Sequence, residues 1–347
     1  MSRGLGILDL TERDGRSARL SLRAKYRDKC SNNRNPASVL RWLMSHPKVS
    51  VVITCYNYAR FLPMAVDSAL GQTYPNVEVV VVNDGSPDET AEVMKRYLDD
   101  PRIVYVEQAN SGQAVAKNNG IRAATAEFIA FLDADDAWHE TKLDKQMKLF
   151  SNPEVGVVYT GVTFVDQRGE AIQVSESTLR PPRSGRITEV LFVDNIVPFS
   201  SAVVRRACFE KAGMMDTSLR MAIDWDLWLR ISVHFEFDFV AEPLTFYRMG
   251  HEGQMSRNYE VREVDQMRIM RRFIDANPGL LRPSLIRWVM AYSYCNRGYH
   301  FRRSDGARSF RCYMAALRWR WCHKPAWVGL AKLFAYKGLQ AVRVLPK

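Results

Sequence analysis

The chain has 347 residues, of which 47% are hydrophobic and 25% are charged. A chain of this length can bury a substantial core, and the composition excludes an intrinsically disordered protein. We expect one main domain with appendages at its ends.

The net charge of +11 is unevenly distributed. Residues 1–47 carry 10 Lys and Arg against 4 Asp and Glu, residues 261–347 carry 18 against 4, and residues 48–260 carry 21 against 30. An acidic block between basic ends predicts a cation site in the middle and an anionic surface, such as a membrane, against the ends. The basic ends show no zinc-finger, RNA-recognition or heptad pattern, so we expect no nucleic-acid partner.

Alternating strand and helix patterns begin at Val49 and repeat four times. The predicted strands cover 49–54, 77–82, 102–107 and 127–132, and the helices that follow them cover 60–71, 87–98, 113–123 and 140–150. Ser86-Pro87-Asp88-Glu89 is typical of a capping box that begins the second helix. Four βα units imply a mostly parallel sheet, and ligands of such sheets bind at the carboxyl ends of the strands.

The second half of the pattern is less regular. We predict strands at 155–165, 201–205, 236–241 and 244–248, a helix opened by Asp224, and only helices after about residue 260. Residues 167–198, which contain Pro181 and Pro182, indicate a mobile loop over a binding site. The predicted divisions are a basic extension (1–47), an α/β domain (48–259) and a basic helical region (260–347).

Cysteine spacing and hydropathy bear on the compartment. The six cysteines form no Cys-x-x-Cys pair, which favours reduced thiols in a cytosolic setting. The sequence shows no apolar run of signal-peptide length and none of the roughly 20 residues needed to span a bilayer. We therefore expect a cytoplasmic protein. If it contacts a membrane, we expect it to bind peripherally to the inner face of the cell membrane.

Three carboxylates follow the fourth predicted strand. Asp133, Asp135 and Asp136 lie within four consecutive positions, and such charges repel one another unless a cation or a hydrogen-bonding ligand offsets them. A divalent metal is the natural counter-charge. The alternative is that Asp135 or Asp136 only caps the helix that follows.

These motifs resemble glycosyltransferase family 2, the nucleotide-sugar transferases of the GT-A fold, over residues 48–256. The matching segments are 49–57 (VSVVITCYN), 82–86 (VNDGS), 112–120, 131–136 (FLDADD) and 224–230 (DWDLWLR). The resemblance implies an α/β fold with a Rossmann-like, mostly parallel central sheet that binds a nucleotide-sugar, here followed by a C-terminal helical extension. It also implies inverting, metal-dependent transfer of a sugar to a hydroxyl acceptor.

The resemblance implies a metal site at the carboxylate cluster. By it, Asp135 binds the Mn²⁺ or Mg²⁺ that bridges the donor diphosphate, and Asp133 approaches the ribose or the metal shell. His251 follows the pair Tyr247-Arg248, where family members often place a metal-ligating histidine, although the spacing here is one residue longer. The alternative for His251 is a solvated loop histidine.

The resemblance also assigns residues to the donor nucleotide. Thr54, Tyr56 and Asn57 match the loop that frames the base, and Asp84 matches the carboxylate that accepts the base N–H. Tyr56 is equally explained as a half-buried aromatic residue at a strand end. Lys117 stands where the family usually shows Arg, so a cation can still meet phosphate or base there, but without a bidentate fork.

Asp224 matches the family's general base, which takes the proton of the acceptor hydroxyl. Ile223 stands where the family has a preceding acidic residue, so one supporting carboxylate is missing. The alternative is that Asp224 only caps its helix. We expect Asp226 to be structural.

The remaining features bear on the product and the setting. The Gln-x-x-Arg-Trp motif that accompanies processive synthases is absent, although Arg287-Trp288 and Arg320-Trp321 occur, so we expect transfer of a single sugar, most simply from a UDP-sugar. Between Trp327 and Leu345, an apolar stripe predicts either an interfacial membrane helix or a helix packed on the catalytic domain.

We therefore expect a glycosyltransferase that acts on a saccharide or lipid-linked acceptor in surface polysaccharide or lipid-linked oligosaccharide assembly. One alternative is a sugar-phosphate nucleotidyltransferase, but no Gly-rich phosphate loop follows the first strand. The other is a non-catalytic nucleotide-sugar-binding protein, which stays open because Ile223 stands in place of an acidic residue.

Overall fold

The computed structural model describes residues 46–174, 181–251, 254 and 259–343. Almost all of the predicted N-terminal extension lies outside the described residues; we predict a helix at 17–29 within it from the sequence. The described part forms an α/β unit followed by four helices.

One sheet of eight strands forms the centre of the molecule, in the order β3-β2-β1-β4-β7-β6-β8-β5. The strands are β1 (Val49–Cys55), β2 (Val77–Asp84), β3 (Ile103–Gln108), β4 (Phe128–Asp133), β5 (Ala137–Trp138), β6 (Val155–Val165), β7 (Val203–Arg205) and β8 (Glu236–Arg248). The first four are parallel and β6 is parallel to β8, whereas β7 and β5 pair antiparallel with their neighbours. The predicted mostly parallel α/β sheet is confirmed.

Helices cover both faces of this sheet because β1 and β2, two of its central strands, are mostly apolar and almost completely buried. The helices are α1 (Leu62–Leu70), α2 (Thr90–Lys95), α3 (Gln113–Ala123), α4 (Lys142–Leu149), α5 (Thr188–Val193), α6 (Ala207–Ala212) and α7 (Ile223–Ser232). Two hydrophobic clusters lie on opposite faces of the sheet, as the pattern of four βα units predicts.

The second helix begins later than predicted, and the capping box is wrong. Helix α2 starts at Thr90, whose main-chain N–H donates to the carboxylate of Asp88. The hydroxyl of Ser86 instead donates to the main-chain oxygen of Cys55 and accepts from the N–H of Asn57. Ser86 therefore joins the ends of β1 and β2, which is still a structural role.

The predicted loop at 167–198 and the two predicted strands at 236–248 also need correction. The short helix α5 lies inside the former, because Leu191 and Phe192 pack into the core. Residues 175–180 lie outside the described part. The two strands are one continuous strand, β8, whose register with β6 shifts near Gly161, where Pro243 interrupts regular pairing.

The C-terminal region is helical, as predicted, with α8 (Tyr259–Ala276), α9 (Pro283–Phe301), α10 (Gly306–Trp319) and α11 (Lys324–Arg343). The last three pack around the buried ring of Tyr313. A Cβ atom at Gly298 or Gly329 would lie 2.8 or 2.3 Å from that ring, so both glycines permit close helix approach. Among the described helices, none is long and apolar enough to cross a membrane.

Candidate active site

The carboxyl ends of β1 and β4 bring Thr54 and Asp133 side by side, since the two residues are partners in the parallel register. Lys117, on α3, joins them: its Nζ lies 2.7 Å from Oδ1 of Asp133 and 3.2 Å from Oγ1 of Thr54. The same ammonium lies 4.4 Å from the ring centre of Phe199, and Lys117 is buried. The cation at this position thus already has a carboxylate partner in the protein.

Asp84 ends β2 and orders the loop that leads into α3. Its carboxylate accepts hydrogen bonds from the main-chain N–H groups of Ser111 (2.8 Å) and Gly112 (3.0 Å) and from Nε2 of Gln108 (2.8 Å). A carboxylate has about four acceptor positions. Asp84 therefore keeps capacity for one further donor while it holds this loop.

The loop after β1 carries the other residues that the sequence assigns to the nucleotide. Asn57 adopts a left-handed backbone conformation, with φ of 61°. Tyr56, directly after β1, is 47% exposed, which fits both a contact of the base and a half-buried aromatic residue at a strand end. This loop therefore presents an open aromatic face at the rim of the site.

Asp135 and His251 lie together although they are distant in sequence. The Nε2 atom of His251 is 2.8 Å from Oδ2 of Asp135. His251 is fully buried, with ring centres of Tyr58 and Phe61 at 5.3 and 5.2 Å, so the solvated-loop alternative is wrong. A carboxylate oxygen and an imidazole nitrogen in this position are both ligand types that Mn²⁺ accepts.

Asp136 is a buried structural carboxylate. It accepts from the main-chain N–H of Arg248 at 2.8 Å and from the hydroxyl of Ser200. Burial raises its pKa well above the usual range, and the neighbouring charges of Asp135 and Asp133 act in the same direction. Neither Asp135 nor Asp136 caps a helix, because β5 follows them and α4 begins only at Lys142.

Arg248 fixes the segment that carries His251. Its Nε donates to the main-chain oxygen of Asp135 at 2.8 Å, and a terminal nitrogen donates to the main-chain oxygen of Asp166 at 2.7 Å. It also borders a cavity of about 310 Å³ beside the Asp135 backbone, lined by Arg60, Phe61, Met64, Gln167, Arg168 and Arg248. Sequence reasoning missed Arg60 and Arg168, which no local motif marks.

Asp224 lies in the first turn of α7, but Ala222 is the N-cap residue, so the helix-cap alternative does not describe its position. The Nδ2 atom of Asn195 donates to Oδ2 of Asp224 at 2.7 Å. Burial raises the pKa of Asp224, hydrogen bonds from the Trp225 main chain and Asn195 oppose this, and the charge of Asp133 raises it further. No motif in the sequence marks Asn195 as part of the site.

The two residues flanking this position serve the fold. Ile223 is 2% exposed and belongs to the hydrophobic core. Asp226 forms an ion pair with Arg230 one helical turn later, at 2.7 Å, as expected for a structural carboxylate.

Tyr247, on β8, lies near the carboxylates that follow β4, since the N–H of its neighbour Arg248 donates to Asp136. Burial raises its pKa, and the negative charges of four carboxylates add to that shift: Asp136, Asp133, Asp135 and Asp224. The hydroxyl therefore stays protonated and can donate a hydrogen bond into the site.

Known protein families and proteins share the sequence pattern of this chain. The model of glycosyl transferase family 2 matches residues 50–213. An uncharacterized glycosyltransferase of Nostoc sp. is 33% identical over 222 residues, which are 60% of this chain and 67% of the relative. The chain belongs to glycosyltransferase family 2.

Two further relatives are similar to this chain. An uncharacterized glycosyltransferase of Rickettsia prowazekii is 31% identical over 201 residues, which are 55% of this chain and 62% of the relative. The putative teichuronic acid biosynthesis glycosyltransferase TuaG of Bacillus subtilis is 27% identical over 238 residues, 65% of this chain and 91% of TuaG.

Solved structures share the fold. S. aureus TarS (residues 1–349), in complex with UDP-GlcNAc, has a TM-score of 0.62 at 18% identity and covers 78% of this chain and 81% of its own. The mannosyltransferase PcManGT from Pyrobaculum calidifontis, in complex with GDP-Man and Mn²⁺, has a TM-score of 0.57 at 19% identity, with 96% and 93% covered. This family 2 chain therefore has the GT-A fold that its sequence predicts.

Proposed function

We propose that this family 2 protein transfers a single sugar from a nucleotide-diphosphate sugar to an acceptor hydroxyl with inversion of configuration, and that residues 48–259 form the catalytic domain. The observation that carries the proposal is the Asp135–His251 pair beside Asp133 at the end of β4, with Asp224 near enough for the charge of Asp133 to raise its pKa. In-line attack with one base on the far side of the sugar gives inversion.

Asp224 is the general base of the proposed reaction. It accepts the proton of the acceptor hydroxyl as that oxygen attacks the anomeric carbon. Asn195 orients the carboxylate and favours its ionised form, because the hydrogen bond from Nδ2 is made to the charged oxygen. Asp226 is occupied with Arg230 and does not compete for this role.

Asp135 and His251 are the residues that would hold Mn²⁺ or Mg²⁺. No group of three or more Cys, His, Asp or Glu side chains placed to hold a metal occurs in the described part of the chain. These two side chains supply two ligands. The remaining ligands of the cation would be water and phosphate oxygens of the nucleotide-sugar, as is common for such ions. A cation bound there would act as a Lewis acid on the departing diphosphate.

The proposed contacts of the nucleotide are Thr54, Tyr56, Asn57, Asp84, Lys117 and Asp133. Asp84 has acceptor capacity left for a base N–H, and the exposed ring of Tyr56 offers a stacking surface. Lys117 is paired with Asp133, so its role is to hold that carboxylate and to reduce the negative charge that the diphosphate meets. We choose UDP as the nucleotide. TarS is bound to UDP-GlcNAc, whereas PcManGT is bound to GDP-Man.

A saccharide or lipid-linked acceptor in surface polysaccharide assembly, at the inner face of the cell membrane, is the proposed setting. TuaG is described as a putative teichuronic acid biosynthesis enzyme, which supports this class of product. Membership of family 2 disfavours a nucleotidyltransferase. A non-catalytic binding protein is the remaining alternative, since Ile223 replaces an acidic residue.

The test is incubation of the purified protein with UDP-glucose, UDP-N-acetylglucosamine, UDP-galactose and GDP-mannose in the presence of Mn²⁺, with release of nucleotide diphosphate as the readout. We expect release with one donor, and loss of release in Asp224→Asn without loss of donor binding in a thermal-shift assay. Donor binding without hydrolysis or transfer in the parent protein would favour the binding-protein alternative.

A further inference from the structure

The arginines of the two Arg-Trp pairs in the C-terminal region line one groove, together with Trp288. The first turn of α9 and the end of α10 enclose about 450 Å³, lined by Arg282, Ser284, Leu285, Arg287, Trp288 and Arg320. Arg287 and Arg320 are 33 positions apart in the sequence and come together because α9 and α10 pack side by side. The groove lies in the helical bundle and belongs to none of the elements of the proposed active site.

The groove has excess positive charge. Arg282 is neutralised by Glu189 of α5, with nitrogen to oxygen distances of 2.8 and 2.7 Å. Arg287 and Arg320 are exposed, and within the described part of the chain neither guanidinium forms an ion pair with a carboxylate. Two planar guanidinium groups beside the start of a 19-residue helix suit the oxygens of a phosphate group.

Exposed aromatic side chains lie on and next to the segments that form the groove. Trp288 stacks on Tyr292, with ring centres 5.5 Å apart and planes 9° apart. Trp321, next to Arg320, is 78% exposed, and its main-chain oxygen accepts a hydrogen bond from Nε1 of Trp327, which is 54% exposed. Tryptophan in this situation is typical of the boundary between lipid headgroups and acyl chains.

The packing of the last helix leaves its aromatic rings exposed. Helix α11 is held to the bundle by Ala326, Leu330 and Leu333, which are buried, whereas Trp327 and Phe334 of the same helix point outward. The stripe predicted from the sequence is therefore divided between two faces. Phe334 meets Phe310 of α10 at the surface, with ring centres 6.1 Å apart, so the exposed apolar area extends over two helices.

We propose that this basic and aromatic groove binds the headgroup phosphate of an anionic phospholipid in a bilayer, with Arg287 and Arg320 on the phosphate and Trp321 and Trp327 at the interface. A bilayer is the occupant because the phosphate-binding groups lie beside exposed indole rings and within a segment that carries 18 basic against 4 acidic residues. A free phosphate would use only the arginines. The inference concerns docking and is independent of the sugar-transfer reaction.

The test compares two double variants of the full chain that lose equal charge. Arg287→Gln with Arg320→Gln removes the groove, and Arg303→Gln with Arg311→Gln removes two exposed arginines of the same bundle outside it. Sedimentation with phosphatidylcholine vesicles that contain phosphatidylglycerol is measured for each. We expect the groove variant to bind about 25-fold more weakly at low salt, at roughly 1 kcal/mol for each arginine, and the control to bind nearly as well as the parent.

Further arms distinguish the source of the phosphate. Inorganic pyrophosphate and poly(U) are added as competitors, and brominated phosphatidylcholine is used to quench tryptophan fluorescence. We expect weak competition, and quenching that falls in Trp321→Ala. Equal losses in both double variants, no quenching, or binding of poly(U) with the same dependence on Arg287 and Arg320 would overturn the proposal. Melting temperatures of all variants show that each is folded.

Discussion

Asn195 donates a hydrogen bond from Nδ2 to Oδ2 of Asp224 over 2.7 Å, and its own Oδ1 accepts from the main-chain N–H of Val197 at 3.3 Å. The second bond fixes the amide, so the first one defines the orientation of the carboxylate. Because Asp224 is partly buried and its pKa is raised, this neutral donor favours ionisation without adding a charge.

We expect Asp224→Asn to reduce sugar transfer by about 10² or more, the scale of a lost general base, because the amide cannot accept the proton. Donor affinity and melting temperature should change little, since the amide can still interact with Asn195. Transfer rates with saturating donor measure the effect. Asp226→Asn is the matched control: it breaks the ion pair with Arg230 and should lower stability more than activity. Normal transfer by Asp224→Asn would exclude this residue as the base.

We expect Asn195→Ala to move the acid limb of the pH profile of kcat/KM to higher pH. The protonated form of Asp224 cannot act as a base, so activity falls as the pH drops through its pKa. That pKa is raised by burial and lowered by the Asn195 hydrogen bond, and removal of the bond raises it further. An acid limb that stays in place while kcat falls would show that Asn195 acts on orientation alone.

The Asp135–His251 pair should determine the metal requirement. We expect Asp135→Asn to remove most activity and His251→Ala to raise the Mn²⁺ concentration needed for half-maximal activity by about tenfold or more. Titration with Mn²⁺ after chelation measures both. His234→Ala, at an exposed histidine, is the control. Full activity of the parent protein in excess chelator would disprove metal dependence.

Lys142 should give the protein a pH-dependent stability. It is fully buried, its Nζ donates to Oε1 of Gln146 at 2.7 Å, and burial lowers its pKa well below the usual value. Between this lowered pKa and the unfolded value of about 10.4, the unfolded chain binds the proton and the folded chain does not. This contribution therefore increases stability as the pH rises through that window.

We expect Lys142→Met to remove that increase, so that the gain in melting temperature from about pH 7 to about pH 9 is smaller than in the parent. Lys148→Met changes an exposed lysine of the same helix and should keep the parental slope. Identical slopes in the parent and Lys142→Met would show that Lys142 is charged in the folded protein.

Gly329→Ala tests the packing of the last helix. The added methyl group would lie 2.3 Å from the ring of Tyr313, so we expect a loss of about 1–3 kcal/mol from overpacking. Chemical denaturation measures this. Ala331→Gly, at an exposed position of the same helix, gives the scale of helix propensity, about 1 kcal/mol. Stabilisation by Gly329→Ala would mean that α11 does not pack on Tyr313.

The sequence by itself determined the parallel α/β architecture and the edge at which the site lies. The four βα units were predictable because a buried strand has a continuous apolar pattern and a covering helix has a 3.6-residue period, and both are local properties. The placement of Thr54, Asp84 and Asp133 at one edge followed from strand direction alone. The predicted capping box at Ser86 is wrong because the Ser86 hydroxyl donates to the main-chain oxygen of Cys55 instead of capping the next helix.

Only the tertiary structure decided which side chains meet across the site. His251 reaches Asp135 over 116 positions because Arg248 and Asp136 join the ends of β8 and β4. The bond from Asn195 to Asp224 and the Arg287–Arg320 groove arise in the same way, from packing between elements distant in sequence. Such pairs leave no periodicity in the chain, because their geometry depends on how whole helices and strands pack rather than on neighbouring residues.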